Sequence, residues 1–214
     1  MITRPLPLLV LVAAALLAGC GVRDKVREVV DRRDDAEIMV AASGQARLEV
    51  ERAIARWRGA GPSMPASFWE DLRGDLSERD AESAIAAVYR QRLPAEDLQA
   101  AILFYQTETG KRLGQELPMA VDELVHRAVG AQDRLDKTMR KPFTGDDRTA
   151  VRRFAASTSG KRLAEAHGEL ARETAAALAP VRRGWDERAL KRLRSAGIPD
   201  DELAGLTAAS APTR

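Results

Sequence analysis

Gly110-Lys111 and Gly160-Lys161 are where the chain comes nearest to a nucleotide-binding motif. A phosphate loop needs a glycine five positions earlier and a Ser or Thr directly after the lysine. Tyr105 and Ala155 occupy the first of these positions, and Arg112 and Arg162 the last, so the loop is excluded. A weaker chemistry survives at the same places. Thr107 and Ser157 can cap helices whose free amides attract anions, with Lys111, Arg112, Lys161 and Arg162 one turn further in. Cations in a first turn oppose the helix dipole by roughly 0.3–1 kcal/mol each. Their recurrence points either to anion contact or to capped joints whose cations pair with carboxylates such as Glu108.

The remaining reactive side chains are sparse. His126 and His167 belong to no HExxH or comparable ligand set, and they read as solvated helix residues with Asp122 and Glu169 nearby. Neither sits in a serine or cysteine motif for nucleophilic catalysis. Glu96-Asp97, Asp146-Asp147 and Asp200-Asp201-Glu202 begin expected helices, where carboxylates offset the dipole. No catalytic residue, metal site or cofactor is expected.

Cys20 is the sole cysteine, which excludes a disulfide framework within the chain and a Cys-rich zinc site. Met1–Arg4 form a short positive start, and Leu6–Ala18 form an apolar stretch with the length and order of a secretory signal. It ends in Leu17-Ala18-Gly19-Cys20, which resembles the lipobox of bacterial lipoproteins. That resemblance implies cleavage before Cys20, a thioether-linked diacylglycerol on its sulfur and acylation of the new amino terminus. Several acyl chains make attachment lasting where one anchors only marginally. Gly21, rather than an aspartate, follows the cysteine, which by the enteric sorting rule implies the periplasmic face of the outer membrane.

The elements behind these residues read as helices. The chain has 214 residues, 45% hydrophobic and 31% charged, enough for one packed domain. Val22, Val26, Val29 and Val30 make a short apolar stripe in a tether spanning 20–35. Met39, Ala42, Ala46, Val50, Ile54 and Trp57 mark one helix, stopped by Gly59-Ala60-Gly61-Pro62. Ser67 and Glu70 suggest a capping box, and Ala81, Ile85, Val88 and Tyr89 line a helix to about Arg92. No stretch alternates with β-branched enrichment. The expected class is all-α: a signal peptide at 1–19, the tether, an antiparallel helical bundle over 36–206 and a disordered tail at 207–214.

An internal repeat organises the bundle. Asp97, Phe104, Gly110 and Lys111-Arg112-Leu113 fall, fifty positions on, upon Asp147, Phe154, Gly160 and Lys161-Arg162-Leu163. Each unit, about 93–140 and 143–180, reads as an acidic-started helix, a joint and a second helix. In the first unit that second helix keeps its period from Leu113 to Met139, with a kink expected at Pro118. Ala87-Val88-Tyr89, Glu96-Asp97 and Phe104-Tyr105-Gln106-Thr107-Glu108-Thr109-Gly110-Lys111-Arg112-Leu113 resemble the family called domain of unknown function 2059. The likeness extends loosely from Ala36 to Leu170. It departs from the family pattern at Thr107, at Glu108 and at Pro94. The resemblance implies an all-helical domain of secreted or envelope proteins and brings no catalytic residues, cofactor or substrate.

A net charge of +2 and 4% aromatics exclude the basic excess and stacking platforms of nucleic-acid binders. A local basic cluster remains: Arg182, Arg183, Arg188, Lys191, Arg192 and Arg194. With Trp185 and Leu190 it describes a helix that could lie on anionic lipid headgroups, or simply a solvated face. The expected function is a lipid-anchored, non-catalytic binding or interaction module facing an envelope protein or anionic headgroups. The alternatives are a carrier or chaperone of a lipid, glycan or peptide with a cleft between the repeats, and an enzyme of unrecognised type.

Overall fold

Buried Ala36, Met39, Val40 and Ser43 recur at helical spacing and form α1, Asp35–Ser43. Gly44 then turns the chain left-handed at φ 69°, and α2 follows as Gln45–Ala60. The single helix expected from Met39 to Trp57 is therefore two. A Cβ on Gly44 would lie 2.4 Å from the carbonyl oxygen of Gly114, so the break lets two backbones touch. The computed structural model describes residues 33–130 and 144–209. Cys20, the signal segment and nearly all of the tether lie outside the described residues.

Next come α3, Ala66–Asp75, and α4, Glu78–Arg92. The capping box expected at Ser67 is absent: Pro65 is the N-cap, and its ring fixes the entry angle without a side-chain hydrogen bond. In α4, Ser77 accepts from the Asp80 amide as an ordinary side-chain cap. The expected first unit supplies α5, Ala95–Gln106, α6, Glu108–Glu116, and α7, Val121–Gly130, while its end, with Leu135 and Met139, lies outside the described residues. Its expected long helix is thus interrupted from Leu117 to Ala120, because Pro118 has no amide to continue the ladder. The second unit supplies α8, Gly145–Ala156, and α9, Thr158–Ser195. Here the chain goes the other way. The helix expected near 163–181 and the C-terminal helix at Trp185 are one continuous element of 38 residues with Pro180 inside it. Finally α10, Asp200–Ala209, carries helix past Leu206, where a disordered tail was expected; residues 210–214 lie outside the described residues.

The described residues therefore make an all-α bundle of ten helices with no strand among them. Its spine is α9, which packs against α2, α3, α4, α5, α7, α8 and α10. Leu163, Leu170, Leu178, Trp185 and Leu193 line it and are almost wholly buried, alongside Trp57, Leu72, Ile85, Leu113 and Leu124 from its neighbours. Burial of each such side chain contributes about 1.5–3 kcal/mol. No helix of the described residues is long and apolar enough to cross a membrane.

Candidate functional site

The two joints have one geometry. Thr107 and Ser157 cap α6 and α9, accepting from the amides of Gly110 at 3.1 Å and Gly160 at 3.0 Å. Each hydroxyl also donates back to a carbonyl, of Phe104 at 2.6 Å and of Phe154 at 2.7 Å. The rings of Phe104 and Phe154 then stack on each other at 4.6 Å. The cations of the joints are largely engaged. Arg112 pairs with Asp147 at 3.0 Å, and Arg162 with Asp97 at 2.7 Å and Glu96 at 2.6 Å. The near carboxylates come from the opposite unit rather than from Glu108, and Glu116 of the same helix lies 3.9 Å from Arg112. Lys111 and Lys161 are exposed.

These pairings change the reading of the acidic helix starts. Asp97 is fully buried, and Asp147 nearly so. Asp147 also accepts from the Thr109 hydroxyl at 2.7 Å and closes a capping box with Thr144, for which the sequence carries a Thr-x-x-Asp signal. Burial pushes the Asp147 carboxyl up. The Thr144 amide, the Thr109 and Thr144 hydroxyls and Arg112 outweigh this and hold it below the ordinary carboxylate range.

The C-terminal basic helix also departs from expectation. Trp185 is 1% exposed and belongs to the core, so it cannot lie on a headgroup layer. Arg182 binds Glu49, Arg192 binds Asp75 and Asp71, Arg194 binds Asp200, and Arg188 reaches Asp80 at 3.6 Å. Among the described residues, only Arg183 and Lys191 of that cluster stand exposed without a carboxylate partner.

A pocket of about 200 Å³, with polar and apolar walls in similar measure, lies where α7 of the first unit meets α9 of the second. Residues of α2 and α4 complete its wall. At one end Asp122, 1% exposed, accepts from the Tyr89 hydroxyl on one oxygen and meets Nδ1 of His167 at 2.7 Å with the other. The His167 ring stacks on His126 at 4.6 Å. Reading both histidines as solvated is thus wrong for His167, whose partner is a buried carboxylate across the bundle. Burial, then the charge and hydrogen bond of Asp122, raise the Tyr89 phenol well above its usual value, so it remains a donor. At the other end Glu49 accepts from Arg52 at 2.8 Å on Oε1 and from Arg182 at 2.6 Å on Oε2. Between the ends lies Thr174, 5% exposed, whose Oγ1 has no hydrogen-bond partner among the described residues.

The pocket lining gathers none of the joint residues. One signal for it was present in the sequence: His167, Thr174, Leu178 and Arg182 share one face of a helix. Among the described residues no three His, Cys, Asp or Glu side chains converge as metal ligands.

Residues 79–141 match the model of the family described as an uncharacterized protein conserved in bacteria (DUF2059). The match bears out the resemblance carried by Phe104–Leu113 and spans α4 to α7, a narrower stretch than Ala36 to Leu170. No curated protein and no solved structure is similar to the chain.

Proposed function

We propose that this chain, similar over residues 79–141 to an uncharacterized bacterial family, is a lipid-anchored protein of the cell envelope. Cys20 carries the anchor, and the helical domain serves as a non-catalytic binding or interaction module at the periplasmic face of the outer membrane. The observation that favours binding over catalysis is the state of the pocket. Both oxygens of Asp122 and of Glu49 are engaged. Thr174 follows His167 by seven positions on α9, about 10 Å along the axis, too far to act as its nucleophile. The anchor is supported by Leu17-Ala18-Gly19-Cys20 behind an apolar stretch.

An exposed apolar seam adds support for an interaction role. Leu103 on α5 is 63% exposed and Ile38 on α1 is 37% exposed. Each follows, by about one turn, a partner in the Asp35–Gln99 hydrogen bond of 2.6 Å that joins those helices. The carrier reading retains one observation, since the pocket lies between α7 and α9 of the two units. Its small volume and the charged Glu49, Arg182 and Asp122 in its wall suit a small solute better than an acyl chain. Attraction to anionic headgroups rests on fewer cations than the sequence suggests, because most of the cluster is paired.

Cys20→Ser tests the anchor. The variant is expected to leave the membrane fraction and appear in the soluble one; retention on the membrane after a salt wash removes the lipoprotein reading. A photo-crosslinker at Leu103 is expected to trap a neighbour in cells.

A further inference from the structure

The pocket between α2, α4, α7 and α9 has its donors in surplus at the Glu49 end, while Glu123, at the Asp122 end, pairs with Arg127. Glu49 meets Arg52 with one oxygen and Arg182 with the other, and Asp122 likewise meets Tyr89 and His167. A guanidinium carries five N–H donors in a fixed fork. Arg52 commits one nitrogen to Glu49, and Arg182 commits Nε and Nη2. Two guanidiniums facing one carboxylate leave a positive charge at this end, and the Arg52 side chain is 61% exposed.

Thr174 is a second, independent sign. A hydroxyl inside a helix commonly bonds back to the carbonyl one turn earlier, yet Thr174 Oγ1 has no partner among the described residues. Thr174 lines the pocket while remaining 5% exposed. Thr174, Leu178 and Arg182 line the α9 wall of the pocket together, and side chains on a helix lean toward its N-terminus, from Arg182 toward Thr174. Ala171 and Ala175 line the same wall and keep it open. The volume, about 200 Å³, is below the roughly 300–1,000 Å³ of sites for drug-sized ligands.

We propose that this pocket binds the anionic oxygens of a small solute, a carboxylate or a phosphate, on the Arg52 and Arg182 guanidiniums and the Thr174 hydroxyl. The inference rests on the binding reading of the domain and is independent of the lipid anchor. Arg–oxyanion pairing supplies charge-assisted hydrogen bonds, and the bound oxygen gives Thr174 the partner it lacks.

The full-length chain in detergent is titrated with sodium phosphate and with sodium succinate, against sodium chloride of equal ionic strength, by calorimetry and thermal melting. At least one of the two anions is expected to raise the Tm above the chloride control. Thr174→Val, nearly isosteric, is expected to bind at least tenfold more weakly while melting within a few degrees of wild type. Arg182→Gln is expected to weaken binding as much or more. A response to phosphate alone assigns a phosphate group, and a response to succinate alone a carboxylate. No response beyond chloride, or wild-type affinity in Thr174→Val, overturns the site. So does loss of the response in Lys111→Ala or Lys161→Ala but not in Thr174→Val, which places the anion at the joints. Because the titration never uses Cys20, its failure is distinct from retention of Cys20→Ser on the membrane.

Discussion

Gly110 and Gly160 stand where one helix folds back against the end of the preceding one. Neither has positive φ; a Cβ at either would lie 2.1 Å from the carbonyl oxygen of Phe104 or Phe154. Close backbone approach, one of the two reasons for glycine at such a joint, is therefore the operative one, and the obstacle is backbone, which cannot step aside. Gly110→Ala and Gly160→Ala are each expected to destabilise by about 1–3 kcal/mol, and valine by more. Urea unfolding curves check this, and midpoints equal to wild type would remove the joint argument. The tyrosines give a second test at this scale. The chain has two, and burial followed by the charge of Asp122 raises both Tyr89 and Tyr105 above the ordinary phenol. A raised folded pKa stabilises below the unfolded value, near 10, and that contribution is lost as pH rises through the folded pKa. Tyrosinate absorbance is therefore expected to stay flat in the native protein above pH ~10 and to appear together with unfolding. A smooth titration in folded protein would contradict the buried phenols.

At the scale of elements, the helices were legible where one apolar face repeats without interruption. Ala81, Ile85, Val88 and Tyr89 announce α4 because burial on one side demands that spacing. Interruptions set by a neighbour were hidden: Gly44 breaks α1 from α2 because the backbone at Gly114 passes there, a partner far along the chain. Trp185 was misplaced for a related reason. A helix with basic residues beside a tryptophan reads as a surface helix, whereas α9 is surrounded and its arginines reach out to acids on α2 and α3. The unbroken run of α9 through Pro180 was equally hidden, since proline in a helix interior costs about 3 kcal/mol and packing on both sides must overcome it. Pro180→Ala restores the amide that can bond the carbonyl of Ala176. It is expected to raise stability by about 1 kcal/mol or more, read as a higher Tm in calorimetry. An unchanged or lower Tm would mean that the tertiary packing around α9 favours the proline.

Across the whole molecule, the two helix pairs answer each other. Asp97 of the first unit is neutralised by Arg162 of the second, and Asp147 of the second by Arg112 of the first. The candidate site shares this logic, for Asp122 and His167 also come from different units. Such pairs were illegible because each residue had a sufficient local reading, as dipole partner or solvated side chain, and the true partner lies 65 and 45 positions away for Asp97 and Asp122. Asp147, held below the ordinary carboxylate range, stabilises the fold above its unfolded pKa of about 3.9 and loses that contribution as pH falls through the lower folded value. Asp147→Asn is expected to cost about 1–3 kcal/mol at neutral pH. It should also flatten the acid limb of stability measured by urea midpoints across that range. An acid limb as steep as wild type would place the sensitivity elsewhere.

The position of α9 as the spine also has a consequence in time. A ribosome makes roughly 5–20 residues each second, and folding units assemble as they emerge. Here α2, α3, α4, α5, α7 and α8 are all synthesised before the helix they pack around. The earlier helices meet one another, α1 against α4 and α5 and α2 against α4, but the faces that α9 covers have nothing to close on, and Asp97 waits for Arg162. Until those late residues arrive, the core that α9 completes stays unclosed. For the export we propose, that delay keeps the polypeptide in a form that can still be threaded.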